Sequence, residues 1–322
     1  MDSNYQTPAT TSSPDTAYFN MQIAMGPTVC WLLFVITSWI TFFEPDFHYY
    51  DSDGKHHAFL FWLYPCYSVS DRWYDAIYIN YVIFYALIIG CLVIITAGFA
   101  VYVYSIFIKK DGYIISAMYG FYSRFHLVPF LIGSILFILS ESVRKENSFP
   151  DIGSVRYFLN VVFSIMGLGS MIFIYIKTNI DYPLWAKFAI TRGAFSCLIA
   201  LFSYFTLFSI YAYGNHLKLE DEDYEAVADW AEGCNYAFSF MLGIGNLCLS
   251  FLYKDIVLAG ITSLMYLGMA INFFVLDDDY MEWVYDDNKF IGVLDIIMLI
   301  AGVSLASYLF IRYRAIIFNN NP

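Results

Sequence analysis

The chain has 322 residues, of which 60% are hydrophobic, 21% aromatic and 14% charged, with a formal net charge of −12. Soluble domains average roughly 45–50% apolar and about 25% charged residues. A water-soluble globule is therefore excluded, and the acidic balance speaks against a nucleic-acid partner.

Residues 1–20, MDSNYQTPATTSSPDTAYFN, are rich in Ser, Thr and Pro and lack a basic residue. Such a segment cannot bury a core and is expected to be a disordered tail, and it has neither the basic start nor the apolar centre of a signal peptide. Residues 21–313 then carry uncharged runs that reach the roughly 20 residues needed to cross about 30 Å of hydrocarbon as helix. These runs lack the alternation of a membrane barrel. The expected fold is all-α, a polytopic transmembrane helical bundle followed by a short polar tail over 314–322. Spans are expected near 22–43, 77–108, 114–139, 158–176, 188–213, 233–253, 256–276 and 290–311. Only Lys254 and Asp255 part the sixth from the seventh, so a tight hairpin is expected there, and a shifted boundary leaves seven spans instead of eight.

Lys and Arg are slightly in excess on one side, which places the amino terminus in the cytosol. The acidic residues are more lopsided. Most fall on the opposite side, in EPDFHYYDSDGKHH with SDRWYD, in LEDEDYEAVADWAE and in DDDYMEWVYDDNK.

The second of these loops holds Glu220, Asp221, Glu222 and Asp223 and opens the sixth helix. Asp221 or Asp223 can cap that helix, and acids in its first turns complement the positive helix end. The competing reading is an outer acidic patch, a vestibule that concentrates cations or a weak Ca²⁺ site. The loop lacks the spacing of an EF-hand.

Inside the membrane the candidate polar site is Asp295 in FIGVLDIIMLI, with Arg192 in FAITRGAFSC and His126 beside Arg124 in FYSRFHLVPF. An ionisable group in a span is a functional candidate because it is expensive to keep there. A buried structural ion pair is the plainer alternative. Gly167 and Gly169 in MGLGSM, and Gly243 and Gly245 in MLGIGN, suit close helix approach. The six cysteines have no metal-binding spacing; Cys66 and Cys234 lie near span ends and could pair in an oxidising lumen. His48, His56 and His57 share a loop with Asp51 and Asp53, but loop histidines are usually solvated. No catalytic or nucleotide-binding motif is present, so neither an enzyme nor a cofactor is expected.

Two segments resemble the damage-regulated autophagy modulator (DRAM) family and its six-span relatives, which include GPI-lipid-remodelling factors and partners of phosphatidylinositol 4-kinase. YPCYSVSD, with Val69, Ser70 and Asp71, is similar to that family's outer-loop Pro-x-Ile-Ser-Asp pattern, with Pro65 displaced. ADWAEGCNYAFSF and FLYKD supply Ala228, Glu232, Phe251 and Asp255 for its Ala-x-x-Glu-Trp start and aromatic-x-x-Asp end. Both pairs are one residue too far apart, Gly233 stands where the family has Trp, and the spans after Asp255 have no counterpart. The resemblance implies a non-enzymatic regulator or scaffold of the endolysosomal or plasma membrane.

Three classes of function follow. One is the membrane regulator or scaffold, working through helix and lipid contacts. Another is a cation channel or transporter with an acidic outer vestibule, and the third is an accessory subunit of a larger membrane complex. The lipid bilayer is the expected partner in all three, with other membrane proteins in the first and third.

Overall fold

The computed structural model describes residues 48–50, 56–58, 81–108, 185–220, 224–275 and 289–318, together with helical residues within 29–39 and 158–176. Five long helices form the bundle: α1 (Tyr81–Val103), α2 (Trp185–Glu220), α3 (Tyr224–Tyr253), α4 (Ile256–Val275) and α5 (Lys289–Phe318). The end of α1 widens into a π turn over Tyr104–Ile108. Among the described residues four helices are long and apolar enough to cross a membrane, over Val82–Val101, Gly193–Tyr211, Tyr236–Tyr253 and Phe290–Tyr313. Ile256–Ile271 of α4 adds a shorter apolar stretch. The four fall within or close to the second, fifth, sixth and eighth expected spans and the shorter stretch within the seventh, while the third, 114–139, lies outside the described residues.

α2 is the central helix, with α1, α3, α4 and α5 all packed against it. Every residue from Gly193 to Leu201 is buried. A helix that is apolar all round, with no wet face, has that pattern. The first and fourth expected spans also touch the bundle: Trp39 Nε1 donates to Thr96 Oγ1 at 2.9 Å, and the Ser164 and Ser209 hydroxyls meet at 3.2 Å.

α3 reverses the pattern of a soluble amphipathic helix. Its small and polar stripe, Ser239, Gly243, Asn246 and Ser250, is buried, and Phe240, Met241, Ile244, Phe251 and Leu252 are exposed. In α5 likewise Asp295, Met298 and Gly302 are buried while Val293, Ile297, Ile300 and Val303 face out. Apolar residues outside and small or polar ones between helices is the arrangement that lipid favours. It is compatible with a membrane location. The buried hydroxyls are made tolerable within their own helices: Ser203 donates to Ile199 O, Ser250 to Asn246 O and Ser263 to Ala259 O, each at 2.7 Å.

Helix ends depart from the hydropathy reading. α2 runs to Glu220 and α3 begins at Tyr224, so each continues well beyond the expected limits of 213 and 233. Hydropathy marks the part of a helix that fits lipid, whereas backbone bonding continues into water wherever good helix formers such as Leu, Lys, Glu and Ala follow. Residues 44–57, read as an acidic loop, contain an antiparallel ribbon pairing His48 with Ala58, Tyr49 with His57 and Tyr50 with His56. The Asp53-Gly54 dipeptide between the strands is the hairpin signal that explains it.

The expected tight hairpin joins α3 to α4. Lys254 adopts a left-handed conformation, φ 57°, and the Asp255 amide donates to Ser250 O at 2.8 Å. That six-to-one bond is the Schellman closure of a helix, normally made with glycine at the left-handed position.

One glycine of each expected pair packs and the other does not. A Cβ on Gly167 would meet Phe202 at 2.8 Å, and one on Gly243 would meet Tyr266 Oη and Met298 Sδ at 2.7 Å, whereas nothing lies within 4 Å at Gly169 or Gly245. Gly243→Ala is therefore expected to destabilise the bundle by about 1–2 kcal/mol through overpacking. Gly245→Ala should stabilise it by up to about 1 kcal/mol through helix propensity. Thermal unfolding of the two variants in one detergent checks the opposite signs.

Candidate functional site

Among the described residues two carboxylates are completely buried in the bundle, Asp255 and Asp295, each with 0% exposure. Burying a carboxylate requires hydrogen-bond donors, a counter-charge or a proton. The two meet that requirement differently.

Asp255 is saturated. It stands directly before α4, and its Oδ1 accepts the Leu258 amide at 3.0 Å, the geometry of an N-cap bonding the third residue of its helix. Its Oδ2 accepts two hydroxyls, Tyr175 Oη at 2.6 Å and Ser196 Oγ at 2.5 Å. Tyr175 also meets the Tyr253 ring edge-on, with centroids 5.5 Å apart. One side chain thus fastens the α3–α4 turn to α2 and to the helical segment carrying Tyr175. Asp255 keeps its place in the expected hairpin, but its side chain is buried instead of wet, and three donors replace the water the carboxylate gives up.

Asp295 is half satisfied. Five residues past Phe290, where the apolar stretch of α5 begins, its Oδ1 accepts Ser239 Oγ from α3 at 3.0 Å. Its Oδ2 is buried with no partner among the described residues. Behind it, Tyr266 of α4 donates its hydroxyl to the Ser239 carbonyl, so α3, α4 and α5 converge on Ser239. Gly243 makes room for that phenol, one turn further along α3.

Further along α3 lies a second polar layer. Ser203 has one proton, given to Ile199 O, yet its oxygen lies 3.2 Å from Asn246 Oδ1 while Asn246 Nδ2 has no partner. Turning the amide over lets Nδ2 donate to Ser203 Oγ and leaves the amide oxygen, instead of the nitrogen, without a partner among the described residues. Thr206 Oγ1 and Thr262 Oγ1 are buried without partners as well. A seam of polar groups therefore follows the inner face of α3 from Ser239 through Asn246 to Ser250, with a buried carboxylate at the Ser239 end and another just beyond Ser250.

Of the residues singled out from sequence, Asp295 is in the core. Arg192 lies on α2, but its side chain is outside the described residues, as are His126 and the side chains of Glu220, Asp221, Glu222 and Asp223. Glu220 ends α2, and α3 starts immediately after Asp223, at Tyr224. Among the described residues no three His, Cys, Asp or Glu side chains gather as a metal site. Cys234 is a buried free thiol, and Cys66 lies outside the described residues.

Sequence reasoning placed Asp255 in the hairpin but missed its burial, and it missed Ser196, Tyr175, Ser239 and Tyr266. For Asp255 one signal was present: an acid before an apolar helix is a cap candidate. The hydroxyl partners left none, because Ser and Tyr in a span look alike whether they face a neighbour or lipid. No family model, curated protein or solved structure matches the chain.

Proposed function

We propose that this protein is a non-enzymatic, multi-pass membrane transporter in which Asp295 takes up and releases a proton, alone or together with a solute. The observation that carries this reading is the unpartnered Oδ2 of Asp295 within a fully buried side chain. A lone ionised carboxylate carries a penalty of about 2.5–3.5 kcal/mol at the centre of a span on insertion scales, and a smaller one nearer its end, where Asp295 lies five residues into the Phe290–Tyr313 stretch. A proton on Oδ2 removes that penalty, and its loss to water restores it. Such a group can gain a proton at Oδ2 without breaking a hydrogen bond there, whereas both oxygens of Asp255 already accept donors.

Ser239 orients the carboxyl group, and the Tyr266 hydroxyl fixes Ser239 through its carbonyl. Proton exchange does work only across a membrane that holds a proton gradient, which favours the endolysosomal or plasma membrane. The acidic loops assigned to the outer side would gather protons and other cations near the entrance.

The test uses purified full-length protein in phosphatidylcholine vesicles loaded with a pH-sensitive dye, with valinomycin and potassium to clamp the potential. An imposed pH difference should collapse faster than in protein-free vesicles. Collapse at the protein-free rate removes proton movement and leaves the regulator or scaffold reading in its place.

A further inference from the structure

A second, independent feature lies at the end of the bundle where α3 turns into α4 and α5 finishes its apolar stretch. Lys254 Nζ sits 5.2 Å from the centroid of the Tyr313 ring. Arg312 Cζ sits 5.8 Å from the same ring and 5.7 Å from that of Tyr308, and its guanidinium also donates to the Tyr308 hydroxyl. Both cations are exposed, and among the described residues neither is paired with a carboxylate. Two cations, one from the α3–α4 turn and one from α5, thus lie near one aromatic ring, an arrangement whose like charge an anion in contact with both would offset.

The backbone adds a separate indication. Lys254 holds its left-handed conformation at a position where glycine would close the same turn without the roughly 1–2 kcal/mol steric penalty. Strain of this kind, kept at a charged residue, points to a role for the side chain.

The surroundings identify the anion's source. Leu252 and Ile311 are each 66% exposed and Phe251 is 61% exposed. Ile311 adjoins Arg312, and Phe251 and Leu252 lie two to three residues before Lys254, on the outward faces of α5 and α3. A soluble phosphate has no use for that apolar flank, but an acyl chain does. Tyr308 and Tyr313 stand at the end of the apolar stretch, where amphipathic rings favour the headgroup level.

We propose that Lys254, Arg312 and Tyr313 form a binding site for the phosphate headgroup of an anionic phospholipid, whose acyl chains lie along Phe251, Leu252 and Ile311. In this site the phosphate contacts the ammonium and the guanidinium beside the Tyr313 ring. The site is independent of proton exchange at Asp295 and stands or falls separately.

Native mass spectrometry of the full chain, released from nanodiscs of phosphatidylcholine mixed with phosphatidylserine, reads the lipid retained. The wild type should keep phosphatidylserine in preference to phosphatidylcholine. Lys254→Gln or Arg312→Gln should each weaken that preference about fivefold, and the double variant about 25-fold, from the usual contribution of a basic residue at an anionic membrane. Lys254→Gly, which relieves the turn while removing the charge, should lose lipid while folding at least as well as the wild type. Tyr313→Leu keeps both charges and should weaken retention by a smaller factor, so the test does not depend on any one variant folding. Equal retention of both lipids by the wild type, or undiminished preference in the folded double variant, overturns the proposal. Inorganic phosphate should not displace the lipid; displacement at millimolar phosphate would assign the site to a soluble anion instead.

Discussion

Replacing Asp255 by alanine is expected to destabilise the bundle by about 3 kcal/mol, a large share of a typical net stability of about 5–15 kcal/mol. The figure follows from what the side chain holds. Removing an N-cap carboxylate costs about 0.5–2 kcal/mol, and two buried hydroxyls, Tyr175 Oη and Ser196 Oγ, lose their acceptor at the same time. Side-chain hydrogen bonds inside membranes average only about 0.6 kcal/mol and rarely exceed about 1.7, so roughly 1 kcal/mol for each hydroxyl is already generous. The two hydroxyls are not equivalent. Ser196 can turn back to a carbonyl of its own helix, while a buried phenol has no such local refuge. Tyr175→Phe should therefore cost about 1 kcal/mol, because it also removes a donor from the carboxylate, and Ser196→Ala less. Asp255→Asn should fall between alanine and wild type, since its amide keeps one acceptor for the cap. Unfolding by SDS titration in mixed micelles ranks the four variants; an alanine variant within about 0.5 kcal/mol of wild type would show that the network carries no net stability.

Asp295→Asn should do the opposite, leaving stability within about 1 kcal/mol of wild type while reducing proton flux to that of protein-free vesicles. The amide oxygen can still accept Ser239 Oγ, and its nitrogen takes the position of an oxygen that has no partner to lose. What it cannot do is exchange a proton near neutral pH. Asp295→Glu retains the carboxyl group but displaces it by one methylene in a packed site, so reduced flux with some loss of stability is expected. Flux in the asparagine variant equal to wild type, at matched protein incorporation, would remove Asp295 from the transport path. Loss of folding in that variant would instead make the carboxylate structural, like Asp255.

The contrast between these two residues also marks how far the chain could be read without coordinates. Asp295 stood out because it is a charged letter inside an unbroken apolar run, and hydrophobic solvent makes such a residue conspicuous in one dimension. Asp255 did not. Beside Lys254, between two apolar runs, it had the composition of a wet turn, and only its cap position hinted otherwise. Gly243 and Gly245 were indistinguishable in the sequence for a related reason: they are two positions apart on a helix, so they point in widely different directions, and only the placement of Tyr266 and Met298 shows which one is crowded. Ser239, Asn246 and Ser250 already showed a four-three-four rhythm with Gly243, yet the rhythm alone does not say whether a small polar stripe faces helices or water.

Composition and the length of the apolar runs determined the long apolar helices, which are compatible with a membrane location, because crossing hydrocarbon demands internally bonded backbone and apolar surface regardless of the partners each helix finds. They also determined Asp295 as a candidate, since the penalty for a charge in lipid depends on depth along one helix. Tertiary structure alone decided that Asp255 is buried and saturated while Asp295 keeps a free oxygen. The partners of Asp255 lie 59 and 80 residues away in the chain. Whether a buried carboxylate is a fastening or an exchangeable proton site depends on how many donors other helices bring within about 3 Å of it, and that number is set by packing between segments whose order in the chain does not specify their neighbours in space.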